Sequence, residues 1–273
     1  MLSEIFHRTG LKNKLRYIKQ VSIYAINKKR EKRLYGKISH LWTPTEESRE
    51  HWKEYTNCPI TLTSGGYDSD IWRPGDKVEA RKQLGLPLGV PIILSSSVII
   101  PKKRLDDLIK AVALVQKKIG ELHLAINGYG EESEKEKLKK LVEQMNLSKY
   151  VFFTDYLCES DLVKFYQAAD VFVHLSAKEG GPSSCKKALA MNTPVVMTPV
   201  GSVGKLIQEL SIGSSFSVGD VSCCAQKIIE AIKLGRNTKT SEIAKKLYSW
   251  EARGTSMAKD IETLWIKQKN GSL

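Results

Sequence analysis

The chain has 273 residues, 41% hydrophobic and 27% charged, the balance of a soluble globular protein able to bury a real core. No apolar run approaches the roughly 20 residues of a membrane span, and the first residues lack the apolar core of a secretory signal. Five cysteines, odd in number and without a Cys-x-x-Cys pair, argue against a disulfide framework or a zinc site and for reduced thiols in a cytoplasmic protein.

The net charge of +13 is unevenly placed. Residues 1–37 hold 11 Lys/Arg and 2 Asp/Glu, or +9, which leaves +4 for the other 236 residues. Within that segment, residues 11–35 are basic and helix-compatible, with a partial apolar stripe of Leu11, Leu15, Ile18 and Ala25. Two readings stand: a solvated helix packed through its stripe, or a surface that meets anionic lipid headgroups. No aromatic-and-basic face recurs elsewhere, so nucleic acid is not expected as a partner.

From residue 39 short apolar strands alternate with helices. Strands are predicted at SHLW (39), ITLTS (60), PIILSS (91), LHLAI (122), YVFF (150), VFVHL (171) and PVVMT (194), β-branched runs of the kind buried on both faces. Helical spacing places Leu105, Leu108, Ile109, Val112 and Val115 on one face of 104–119, and Leu138, Leu141, Val142 and Met145 on one face of 132–146. Further helices are predicted at 160–168, 183–192, 204–210, 221–234, 241–248 and 250–266. The alternation implies an α/β fold with a doubly wound, parallel, Rossmann-like sheet. The composition changes near 36–40, so two parts are expected: a basic helical segment, 1–37, and the α/β domain, 38–273.

Ligands of such a sheet bind outside the carboxyl ends of its strands, and three loops there carry candidate chemistry. After the 91 strand, Ser97-Val98-Ile99-Ile100-Pro101-Lys102-Lys103-Arg104 sets three cations before a helix, where lysine charge and helix N–H groups can hold a phosphate. After the 122 strand, Gly128-Tyr129-Gly130 reads as an ordinary tight turn or as a place of close backbone approach to a ligand. After the 171 strand comes Glu179-Gly180-Gly181-Pro182-Ser183-Ser184, a lone acid followed by small residues at a helix start. There the N–H groups and the positive end of the dipole suit an anion, and Glu179 suits the hydroxyls of a ligand. Asp68 and Asp70 invite a metal reading, but they sit in a Gly-rich turn with no third ligand, so capping or solvated acids are expected. His174, inside a buried strand pattern, reads as a core or supporting histidine rather than a base.

Taken in order, GGYDSDIWRP, SSSVIIPKKRLDDLIKA, INGYGEE, YVFFTDYL, AADVFVHLSAKEGGPSS, NTPVVMTPVGS, GSSFSVGD and SWEARGTSMAKDIETLW resemble the retaining glycosyltransferases of the group 1 family, over about residues 38–266. The resemblance implies the C-terminal, donor-binding half of a GT-B fold, with residues 1–37 a remnant of the N-terminal acceptor domain, and chemistry without metal or cofactor. It implies that Lys103 binds the donor pyrophosphate. Glu179 would contact the donor sugar, with Gly180, Gly181, Ser183 and Ser184 around sugar and phosphate, Gly128 nearby, and the backbone of Tyr156 and Leu157 at the nucleobase. Lys103 and Glu179 are thus the candidate catalytic pair.

The chain also departs from the family pattern. Val98 stands where the family has an arginine and Ser97 where it has a glycine; Lys187 replaces the second acid of its Glu-x7-Glu motif, and Lys205 replaces an acid. If Lys187 replaces the charge missing at Val98, Lys187→Ala abolishes nucleotide binding. If it does not, donor binding has decayed and the domain is a non-catalytic subunit partnering a complete glycosyltransferase. The expected activity is retaining transfer of a sugar from a UDP- or GDP-sugar to a saccharide or lipid-linked acceptor. The expected location is cytoplasmic, peripheral at the inner membrane face through residues 11–35. A separate chain is the expected source of the acceptor domain.

Overall fold

The computed structural model describes residues 27–63 and 65–270, and these divide into two compact units, one of 27–63 with 264–270 and one of 65–263. The stripe residues Leu11, Leu15, Ile18 and Ala25 therefore lie outside the described residues, and only 27–35 of the basic segment is seen, as helix.

In the first unit, β1 (Leu41–Thr43) pairs in parallel with β2 (Ile60–Leu62), and α1 (Glu46–Lys53) connects them. Thr45 caps α1, its hydroxyl accepting from Ser48 N at 3.1 Å. Tyr35 packs edge-on against Trp52 at 4.7 Å, and Lys28 pairs with Glu54 at 2.7 Å. The strands expected at 39 and 60 thus form their own two-stranded sheet. The first unit extends to residue 63, because the short apolar runs at 41 and 60 find partners in each other.

The second unit begins with α2 (Lys77–Gln83) and then alternates. Its strands are β3 (Ile92–Ser96), β4 (His123–Asn127), β5 (Val151–Thr154), β6 (Val171–His174), β7 (Val195–Met197) and β8 (Ser214–Ser215). Its helices are α3 (Leu105–Ile119), α4 (Glu132–Gln144), α5 (Glu159–Ala168), α6 (Ser183–Ala190), α7 (Gly201–Leu210), α8 (Val221–Leu234), α9 (Lys239–Tyr248) and α10 (Trp250–Lys269), the last counted with the first unit from Leu264 on. The six strands are all parallel in the order β5-β4-β3-β6-β7-β8, so the doubly wound expectation holds. The central strands are buried on both faces, Ile92 through Ser95 and Val171 through His174 throughout.

One apolar cluster takes Leu108, Ile109, Val112 and Val115 of α3 with Ile228 of α8. The other takes Phe172 of β6 with Leu189 of α6, Ile207 of α7 and Ala244 of α9. Each predicted stripe is therefore the buried face of its helix, except that α4 stops at Gln144 and leaves Met145 36% exposed. The segment preceding α2 is fastened to the domain: Tyr67 N donates to Tyr248 O and Trp250 N to Tyr67 O, both at 3.0 Å. Lys186 of α6, wholly buried, donates to Gly65 O at 2.7 Å and sits over the Tyr248 ring. Burial pulls its ammonium down to about 8.

Candidate functional site

β3 and β6 are neighbours, but the chain leaves β3 toward β4 and β5 and returns on the other side as β6. The loops after these two strands part in opposite directions and leave a crevice at their carboxyl ends, the switch point of a doubly wound sheet. A polar ladder crosses the strand ends beside it. Ser96 Oγ donates to Asn127 Oδ1 at 2.9 Å, and Asn127 Nδ2 donates to Thr154 Oγ1 at 2.9 Å. The two loops are joined by Ala177 N, which donates to Lys102 O at 3.0 Å.

The three cations after β3 have separate fates. Pro101–Lys103 winds into a single 3-10 turn. Arg104, left-handed at φ 50°, turns back to Asp107 with Nε 2.6 Å from Oδ2. Lys103 alone reaches across the crevice and pairs with Glu179. Both side chains are about five-sixths buried, at 16% and 15% exposed. His174, the last residue of β6 and 2% exposed, faces the same carboxylate, its Nε2 3.3 Å from Glu179 Oε1.

The electrostatics follow from this arrangement. Burial alone would raise the Glu179 carboxyl, but His174, Lys103 and Ser176 outweigh it and hold the group at about 2. Glu179 is thus ionised across the physiological range. Burial lowers His174, and the Lys103 charge lowers it further, against the opposing pull of Glu179. Its imidazole is neutral in this state.

Two helix starts open toward these loops. α6 follows Pro182, and neither Pro182 nor any other side chain caps it; its first turn holds no acid. Pro has no N–H of its own and presets the helical φ, so the free N–H groups at the start of α6 and its dipole are available to an anion. α7 likewise starts without a side-chain cap and without an acid. Its Gly201 has φ +67°, and a Cβ there would lie 2.8 Å from Gly180 O, while Ser202 N donates to that carbonyl at 3.1 Å. The loops after β6 and β7 therefore touch through backbone at Gly180 and Gly201, and Thr198 Oγ1 donates across them to Ser176 O at 2.7 Å.

Of the residues expected at the site, Lys103 and Glu179 meet, with Gly180, Gly181, Ser183 and Ser184 following Glu179 into α6. Gly128 has a reason within the chain itself: at φ +149°, a Cβ would stand 1.8 Å from Ser97 O. Tyr156 (80% exposed) and Leu157 follow the edge strand β5, two strands from β3. Val98 is half-buried, and Lys205 is exposed beside Glu209 at 3.7 Å.

Lys187 is not brought to the Lys103–Glu179 pair. Its ammonium lies 3.9 Å from the centroid of the Trp72 ring, whose Nε1 donates to Glu159 at 2.9 Å. Burial draws Lys187 below the usual lysine range, with Glu159 opposing. Asp68 is a turn acid, accepting from Asp70 N at 2.9 Å. Sequence reasoning passed over Gly201 and Ser202, for which the Val-Gly-Ser-Val-Gly run after an apolar strand was the available signal. It also passed over the contact from His174 to Glu179, which four intervening residues concealed.

The family model for glycosyl transferases group 1 matches residues 76–247. The D-inositol 3-phosphate glycosyltransferase of Mycobacterium tuberculosis is 28% identical over 178 residues, 64% of this chain and 36% of that protein. The chain thus spans 36% of the length of such curated relatives. Sucrose-phosphate synthase from Thermosynechococcus elongatus superposes with a TM-score of 0.76 at 22% identity, over 89% of this chain and 62% of that one. The Anabaena protein HepE in complex with UDP-glucose gives 0.71 at 18% identity, over 87% and 68%. The C-terminal domain of a group 1 family glycosyl transferase from Francisella tularensis gives 0.56 at 22% identity, over 67% and 95%. At these identities the structural likeness establishes the fold.

Proposed function

The chain belongs to the glycosyl transferases group 1 family, and from that premise we propose that it moves a hexosyl group, with retention, from a UDP- or GDP-sugar to a saccharide or lipid-linked acceptor. The observation that carries the reading is the Lys103–Glu179 pair in the switch-point crevice, beside an uncapped, acid-free helix start. The donor diphosphate takes Lys103 and the N–H groups of Ser183 and Ser184. These are charges and dipoles fixed where negative charge grows as the glycosidic bond breaks, so the protein does not reorganise to meet it. Glu179, held ionised, accepts from the hydroxyls of the transferred sugar. The backbone at Tyr156 and Leu157 receives the base at the β5 edge. The transfer so drawn uses no cofactor, because protein groups meet the leaving charge.

A separate chain that carries an acceptor-binding domain is its partner in the transfer. The basic 11–35 stretch places the protein at the inner face of the membrane, on its cytoplasmic side. Among the described residues no helix is long and apolar enough to cross a membrane. Co-sedimentation with anionic liposomes, with and without residues 11–35, tests this placement.

A second reading has its own observation. Lys187 rests on Trp72, which leaves the missing cation at Val98 uncompensated. A charge-assisted contact contributes about 1.5–3 kcal/mol, so its loss weakens donor binding by one or two decades, as in a non-catalytic subunit. Calorimetric titration with UDP, GDP and their sugar conjugates separates the two. Micromolar binding of one of them supports the transferase and names the base; no binding by the folded chain supports the subunit.

A further inference from the structure

β6 is an apolar strand until its last residue. Val171, Phe172 and Val173 are wholly buried in the two cores, and the pattern would accept another aliphatic at 174. An imidazole stands there instead, 2% exposed, its Nε2 3.3 Å from Glu179 Oε1 but without an aligned hydrogen bond. Leaving a buried ring nitrogen unmatched is costly, so the position calls for a reason. Glu179 Oε1 is also the oxygen that the Lys103 ammonium contacts. One carboxylate oxygen thus faces two candidate cations, one already charged and one neutral.

We propose that His174 is a positioning residue for Glu179 that takes up a proton when the donor arrives. The diphosphate draws on the charge of Lys103, and protonated His174 becomes the second counter-charge of Glu179. The inference rests on the donor-site reading above. The proton comes from solvent, no covalent bond changes, and Glu179 remains an ionised acceptor for the sugar. The charge balance requires the exchange. Without donor, Lys103 and Glu179 cancel and a second buried cation is disfavoured. A nucleotide-sugar diphosphate adds two negative charges beside a carboxylate, and one buried lysine cannot neutralise all three.

The charged groups acting on the ring are Glu179, from its own loop, and Lys103, from the 3-10 turn after β3. From α6, the buried Cys185 thiol is kept protonated, burial pushing it up, and it brings no charge. Met197 of β7, the strand partner of His174, is apolar.

The test is calorimetry of the whole chain with UDP-glucose and GDP-mannose at pH 7, in PIPES and in Tris. Each phosphate of these ligands carries one ester and one anhydride bond and only a strongly acidic oxygen, so the ligand itself does not titrate there. An uptake of about half a proton per ligand, with affinity rising about threefold from pH 7 to pH 6, is expected. It should vanish in His174→Asn, which keeps a donor beside Glu179. Binding with no proton uptake, or with the same uptake in His174→Asn, overturns the inference while leaving the donor site intact. Failure of both ligands to bind overturns the donor-site reading instead.

A second measurement needs no ligand. In Lys103→Met the imidazole titration of His174, followed by NMR and assigned through His174→Asn, should move up by a unit or more relative to the unmodified chain. An unchanged titration overturns the coupling by itself.

Discussion

The helix starts of this chain fall into two groups, and the contrast between α2 and α6 shows what separates them. Asp76 caps α2, its carboxylate accepting from Val78 N at 2.8 Å and Glu79 N at 3.0 Å. Thr45 does the same for α1 and Asp220 for α8. α3, α4 and α5 lack side-chain caps but hold two acids each in their first turns. Each of these six dipoles is answered from within the protein. α6 and α7 have neither cap nor acid, and both open beside the loop that carries Glu179. A helix start left unanswered costs stability that a cap would restore. The chain leaves it so where the negative charge is to come from a ligand.

Four substitutions can break or sharpen this contrast. Lys103→Ala should have the largest effect, weakening nucleotide-sugar binding about 10- to 100-fold by loss of a charge-assisted contact. The loss also leaves ionised Glu179 facing the diphosphate, and calorimetry reads it directly. Ser183→Asp should act oppositely on two observables. An acid in the first turn of α6 stabilises the helix by a few tenths of a kcal/mol, while it repels the diphosphate and costs about tenfold in affinity. A melting curve and a titration on one sample separate the two, and a variant that binds unchanged would remove α6 from the site.

Asp76→Ala, at the answered helix start, should cost about 1 kcal/mol of stability and leave nucleotide affinity where it was. Chemical denaturation and calorimetry check the pair of statements. Smallest is Lys187→Ala, which removes a cation from the Trp72 face and should cost about 0.5–1 kcal/mol with less than a threefold change in affinity. A large loss of binding there would show that Lys187 leaves Trp72 when the donor is present, and would restore it to the phosphate.

Much of this was legible in the order of residues. The six-stranded unit announced itself because its inner strands β3, β4, β6 and β7 are apolar and largely buried on both faces, a pattern that helices with one apolar stripe do not share. β8, two polar serines at the sheet edge, carries no such signal. Nor do α1, which buries none of its residues, and α2, which buries Ala80 and the paired Arg81. Lys103 and Glu179 could be named because charge before one helix and small residues before another are local features. Their meeting depends on the strand order, which brings residues 76 apart into contact. The position of Lys187 was not legible, because a helix start suggests where N–H groups point, whereas the second turn turns its side chain toward Trp72, a neighbour 115 positions earlier.

The backbone contact between Gly201 and Gly180 has a genetic consequence. With 2.8 Å between a would-be Cβ and the facing carbonyl, Gly201 has no room to vary unless the Glu179–Gly180 turn shifts with it. The two positions should therefore be epistatic. A side chain introduced at 201 would be rescued only by a change that moves the 180 turn, and any such rescue would displace Glu179 from Lys103. Variation in this pair of loops is confined to routes that pass through lower donor affinity, so they should be among the slowest-drifting parts of the chain.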